Sequence, residues 1–116
     1  MSKEDLQLLK GTLDVMVLRA LTGGARHGYA VAEWIRETTE DTLQVDDGAL
    51  YTALHRLERR GYVRAQWGLS ENNRKAKYYR LSARGRDRLK EQTDAWARYA
   101  RAVSRVLGIA AEGVAS

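Results

Sequence analysis

A mainly helical α+β fold, with three helices, a two-stranded ribbon and one long final helix, is what this 116-residue chain predicts. Three observations point to it. Apolar residues recur at helical spacing in three successive blocks before Gly61. Two short alternating stretches, 62–67 and 76–82, then flank the polar run Gly68-Leu69-Ser70-Glu71-Asn72-Asn73-Arg74-Lys75, as strands flank a hairpin tip. Beyond them, residues 83–108 carry an apolar side chain at every seventh position.

The first helix, 4–22, rests on Leu6, Leu9, Leu13, Met16, Val17, Ala20 and Leu21, whose three- and four-residue steps bring them to one face. Gly23-Gly24 ends it, glycine tolerating the left-handed turn at a helix terminus. A second helix, about 27–40, turns Val31, Trp34 and Ile35 inward, with Tyr29 near its start and Glu37, Glu40 and Asp41 at its end. The third, 47–60, takes Asp46 or Asp47 as N-cap and buries Leu50, Leu54 and Leu57. Tyr51, Thr52, His55 and Arg56 are left on its other side, and Gly61 stops it.

In the ribbon, Val63, Ala65 and Trp67 share one face, and Tyr79 and Leu81 point inward from the second arm. Ser82 is placed to cap the last helix, where Leu89, Trp96, Val103 and Ala110 recur every seven residues with Tyr99 and Val106 between them. So small a domain has little left to cover that seam. A second copy of the helix would cover it, giving a homodimer through Leu89, Trp96, Val103 and Val106; folding back on the first helix would cover part of it too. Three helices followed by a ribbon is the order of a winged helix-turn-helix. The expected organisation is a winged-helix domain at 4–82, a C-terminal dimerisation helix at 83–108 and a frayed tail at 109–116.

The charge is unevenly placed. Residues 1–58 hold six Lys/Arg against ten Asp/Glu, whereas 59–116 hold fourteen against five. Within the second half, 59–90 contain eleven cations and only Glu71 and Asp87 to oppose them. Such clustering suits a face that binds phosphates, although a solvated basic surface would look the same. A helix that hides leucines and offers a phenol, a hydroxyl, an imidazole and a guanidinium fits the major groove of double-stranded DNA. There Thr52 and His55 would meet base edges, Arg56 guanine or phosphate, and Tyr51 phosphate. His55 also reads as an ordinary polar surface residue. Arg74, Lys75 and Lys77 would reach the adjoining minor groove or its backbone, with Asn72 and Asn73 shaping the tip and touching sugar or phosphate. A protein-interaction module without specific DNA binding would explain the long helix but not the basic hairpin.

Other classes fare worse. The chain has no cysteine, so disulfide and thiol chemistry are excluded. No run of 18 apolar residues is present, so no membrane span is expected, and the first residues lack the apolar stretch of a secretory signal. A cytoplasmic protein is the expectation. The two histidines, His27 and His55, have no metal-ligand spacing, and no glycine-rich phosphate loop follows a strand. His27-Gly28-Tyr29 reads as a helix start with a packed ring. No enzyme, metal or cofactor is expected. In a dimer, Trp96 would approach its twin; the two indoles either fill the core or flank a slot for a planar aromatic effector.

Gly11-Thr12-Leu13-Asp14, His27-Gly28-Tyr29, Gly48-Ala49-Leu50-Tyr51, Leu54-His55-Arg56-Leu57-Glu58-Arg59-Arg60-Gly61 and Arg74-Lys75-Ala76-Lys77-Tyr78-Tyr79-Arg80-Leu81 together resemble the PadR family of bacterial transcriptional regulators. The similarity spans about residues 8–108, and the single final helix is similar to the short subfamily. The resemblance implies a homodimeric repressor on a palindromic operator, with Tyr51, Thr52, His55 and Arg56 on the recognition helix and Arg74, Lys75 and Lys77 on the wing. Many members carry proline where this chain has Thr52, so their operator sequences do not transfer. Some short members bind drugs between paired tryptophans in a dimer pore. Trp96, in Asp94-Ala95-Trp96-Ala97-Arg98, falls at the matching place, with Tyr99 beside it and Leu8, Asp14 and Val15 on the facing first helix. An acidic residue one turn after the tryptophan is replaced here by Ala100, which leaves Asp14 as the implied counter-charge for a cationic ligand.

Overall fold

In order along the chain, the elements are α1 (Lys3–Ala20), β1 (Arg26–His27), α2 (Gly28–Thr38), α3 (Asp47–Arg59), β2 (Val63–Leu69), β3 (Lys75–Leu81) and α4 (Ala83–Leu107). The computed structural model describes residues 3–110, and side chains from Gly11 onward. The side chains of Leu6, Leu8 and Leu9, and the tail after Ala110, lie outside the described residues. The expected winged-helix order is present, with one addition. β1 joins the hairpin as a third strand, giving the antiparallel order β1-β3-β2.

Each helix has a local cause for where it begins or ends. α1 stops short of the expected limit because Leu21 and Thr22 turn back by N–H bonds to Leu18 and Arg19 carbonyls, at 3.2 and 3.1 Å. α2 starts one residue late because His27 is its N-cap: the ring Nδ1 accepts the Ala30 N–H at 3.2 Å. At its end Glu40 and Asp41 take left-handed φ of 51° and 65°, and Arg36 steadies that turn by reaching Asp41 at 2.5 Å and Glu33 at 2.7 Å. Asp46 caps α3, its carboxylate accepting the Ala49 N–H at 3.1 Å.

The core sits where α1, α2 and α3 meet the root of the hairpin. Leu13, Val17, Leu18 and Leu21 pack with Val31, Ile35, Leu50, Leu54, Leu57, Val63 and Tyr79. Burial of this kind, about 25 cal/mol per Å² of apolar surface, is the main stabilising term in such a domain. Leu89, expected on the dimer seam, is instead only 9% exposed and belongs to this core, because α4 packs against α1 of its own chain. After Leu89 no described residue of α4 is fully buried.

Along β2 the burial fades. Val63 is buried, Ala65 is half-buried, and Trp67, on the same face, is 60% exposed. The alternation is real, but the strand runs past the end of the helical layer, so its far half has nothing to pack against. On the opposite face of the hairpin, Arg64 and Arg80 stand directly across from each other. Like charges in that register repel, so Arg64→Thr is expected to raise the thermal midpoint by about 2 °C, measurable in low salt by circular dichroism.

Candidate nucleic-acid interface

α3 is oriented by its buried leucines, and its outer face is what remains. Tyr51, Thr52 and His55 are exposed there, and so is Arg59, one turn beyond His55. The Tyr51 ring lies close against the start of α2, where a Cβ on Gly28 would come within 2.8 Å of its hydroxyl. Glycine at that position is what lets the phenol lie over the helix start.

Opposite this helix stands the wing. Ser70 and Arg74 close its tip through an N–H···O bond of 2.8 Å, and Asn73 takes a left-handed φ of 59° in the turn. Asn72, Arg74 and Lys75 are exposed at or beside the tip. Between wing and helices lies an open concavity of about 1130 Å³, lined among others by Tyr29, Tyr51, His55, Trp67, Arg74 and Lys75.

Two cations expected to face outward are instead paired with carboxylates of the domain, and both are partly exposed. Arg56 donates through Nε to Asp14 at 3.1 Å and through Nη2 to the other oxygen of the same carboxylate. That hydrogen bonding holds the guanidinium above its ordinary pKa, with burial opposing it. Lys77 donates to Glu58 at 3.2 Å, which likewise raises its pKa, and its ammonium lies 5.6 Å from the Tyr79 ring centre. Arg56 thus joins α3 to α1, and Lys77 joins the wing to α3. Arg59, which the apolar stripe also leaves exposed, is the cation on the outer face that sequence reasoning passed over.

The expected ligand residues are not brought together as a set. Trp96 and Tyr99 are neighbours on α4, with ring centres 5.8 Å apart. Asp14 is engaged by Arg56 on the side of α1 facing α3, and Val15 packs against the core. The counter-charge role expected of Asp14 is thereby opposed by its bidentate partner. Leu8 falls outside the described side chains. Among the described residues, no three His, Cys, Asp or Glu side chains converge as metal ligands would, and no helix is long and apolar enough to cross a membrane.

Tyr29 and Trp34 also line the concavity. His27 is the helix-start ring that packs, drawn into contact with the sheet, while Tyr29 two residues on is 69% exposed. The His27 ring meets Tyr78 edge-on at 5.4 Å. The signal for β1 was slight, since a two-residue strand has no periodicity to detect.

The sequence profile of the family described as transcriptional regulator PadR-like matches residues 17–91. A solved transcriptional regulator from Clostridium thermocellum is 26% identical, covers 85% of this chain and 96% of its own, and superposes with a TM-score of 0.77. A PadR family transcriptional regulator from Eggerthella lenta is 27% identical over 91% of this chain and 90% of its own, with a TM-score of 0.74. An uncharacterised protein from Lysinibacillus sphaericus is 29% identical over 107 residues, which is 92% of this chain and 94% of that one.

Proposed function

Because this chain belongs to the PadR-like family of transcriptional regulators, we propose that it is a homodimeric repressor whose two winged-helix heads grip the half-sites of a palindromic operator. It is a regulator and not an enzyme. Its place of work is the cytoplasm, where the operator is. The observation that carries the DNA reading is the concavity with Tyr51 and His55 on one wall and Arg74 and Lys75 on the other. In this reading Thr52 and His55 meet base edges, Tyr51 meets phosphate, and the wing cations with Asn72 follow the backbone beside them. Arg56 and Lys77 act one step back, by fixing α3 against α1 and the wing against α3.

The dimer reading rests on the far half of α4. Trp96 is 41% exposed, Tyr99 51%, Val106 86% and Leu107 65%, four large apolar or aromatic side chains left in water on one stretch of helix, as a partner-binding surface would be. Val103, half-buried, lies on the same stretch. A planar aromatic effector would enter between Trp96 and its twin and, by altering how the two α4 helices meet, change the spacing of the heads.

The test is an electrophoretic shift on a duplex from the region upstream of the chain's own gene, with a scrambled duplex as competitor and a salt series. Two chains per duplex are expected. Arg74→Ala and Lys75→Ala should each flatten the slope of log affinity against log salt by about one, as loss of a phosphate contact does. Equal, weak binding of both duplexes at every salt would sink the operator reading.

A further inference from the structure

Trp67 and Tyr29 take part in none of the contacts assigned so far. Each is a large ring left in water, 60% and 69% exposed, and they stand on opposite walls of one concavity. Tyr29 rides on the first turn of α2, and Trp67 on the outer half of β2. The position of Trp67 is not casual. Lys77, its neighbour across the hairpin, is tied to Glu58 of α3, so the wall that carries the indole is braced against the recognition helix. The Lys75 ammonium lies 5.5 Å from the indole centre, which sets a cation beside an apolar surface.

We infer that Trp67 and Tyr29 form an apolar jaw for the deoxyribose rings of the DNA strand lying between α3 and the wing. This rests on the DNA-binding reading above. A backbone strand alternates charged phosphate with an uncharged sugar, and the concavity offers surfaces for both: Lys75 and Arg74 for phosphates, indole and phenol for sugars. The α2 wall also carries Glu33 and Glu37, which would turn a phosphate away from Tyr29. Glu33 is held ionised, its pKa lowered by the hydrogen bond from Arg36. The sugar is the part of the strand that wall can accept.

Sugar contacts carry no charge and no sequence, which gives them a distinct signature. Trp67→Ala should weaken operator and scrambled duplex equally, by about tenfold, with the salt slope unchanged. Trp67→Phe should recover most of that loss. In a Trp34→Phe, Trp96→Phe background, emission from Trp67 should shift to shorter wavelength as duplex is added, because the indole leaves water. Affinity within about twofold of the parent, with unchanged emission, would overturn the inference. So would a loss accompanied by a slope smaller by about one, since the indole would then only be positioning Lys75. A loss confined to the operator would overturn it too, pointing to a base contact. The parent protein in the same titration separates this failure from failure of the DNA reading itself.

Discussion

Gly85→Ala should leave little folded protein. Gly85 sits in the first turn of α4, and an added Cβ would be driven into the carbonyl oxygen of Tyr62, within 2.9 Å of its carbon and 3.2 Å of Leu81 Cδ2. That carbonyl cannot retreat. It accepts the Ser82 N–H at 3.1 Å, while the Tyr62 N–H is bonded to Leu57 at 2.9 Å. Nor can the helix back away, because Ser82 donates to the Gly61 carbonyl at 2.6 Å and accepts the Gly85 N–H at 3.0 Å. Overpacking against backbone fixed from both sides should cost about 3 kcal/mol or more, a large share of what holds a small domain together. Chemical denaturation followed by circular dichroism measures this directly. A variant melting within about 2 °C of the parent would mean that α4 docks more loosely than described.

The second large effect is expected at Arg56, and it should appear as lost stability before it appears as lost DNA affinity. The two side chains of the Asp14–Arg56 ion pair are 21% and 20% exposed, so neither charge is well hydrated if its partner goes. Arg56→Met should destabilise the fold by about 2 kcal/mol, less than a fully buried pair would lose because water still reaches one edge. Asp14→Leu should do the same by stranding the guanidinium. With both replaced, no charge is left unpaired, and the double variant should be more stable than the sum of the two losses implies. Thermal melts of the four proteins give the coupling. If Arg56→Met melts like the parent yet loses operator binding, the guanidinium belongs to the DNA after all.

The path of the chain was legible in the sequence because its strongest signals are periodic and local. The stripe of Leu50, Leu54 and Leu57, the Asp46 cap, the Ser82 cap and the hairpin around 68–75 depend on neighbours within a turn or a strand, and the structure has each of them. What escaped depends on distance. Whether Arg56 faces DNA or Asp14 is decided by a residue 42 positions away, and no helical wheel contains that information. Trp67 alternates correctly with Val63 and Ala65; only the length of the helical layer shows that its side of the strand has run out of core. Leu89 fits the heptad as well as Trp96 does, yet Leu89 alone of the two joins the core, and nothing in the heptad distinguishes them. β1 fails for a different reason, since Arg26 and His27 pair with Tyr79 and Tyr78 through backbone groups that every residue possesses.

The Ser82 clasp has a mechanical side. By bonding Gly61, at the end of α3, and Gly85, in the first turn of α4, one hydroxyl welds a 25-residue rod to the helix proposed to enter the groove. At 1.5 Å per residue that rod is roughly 37 Å long. A tilt of one degree about its root moves its far end by roughly 0.6 Å on the same geometry. Run in reverse, this is a lever with fine gearing: a displacement of an ångström at the exposed far end becomes a rotation of under about two degrees at the head. Large, sloppy movements at Val106 and Leu107 would therefore reach the groove as small, well-defined ones, which suits a device that must hold or miss a fixed spacing.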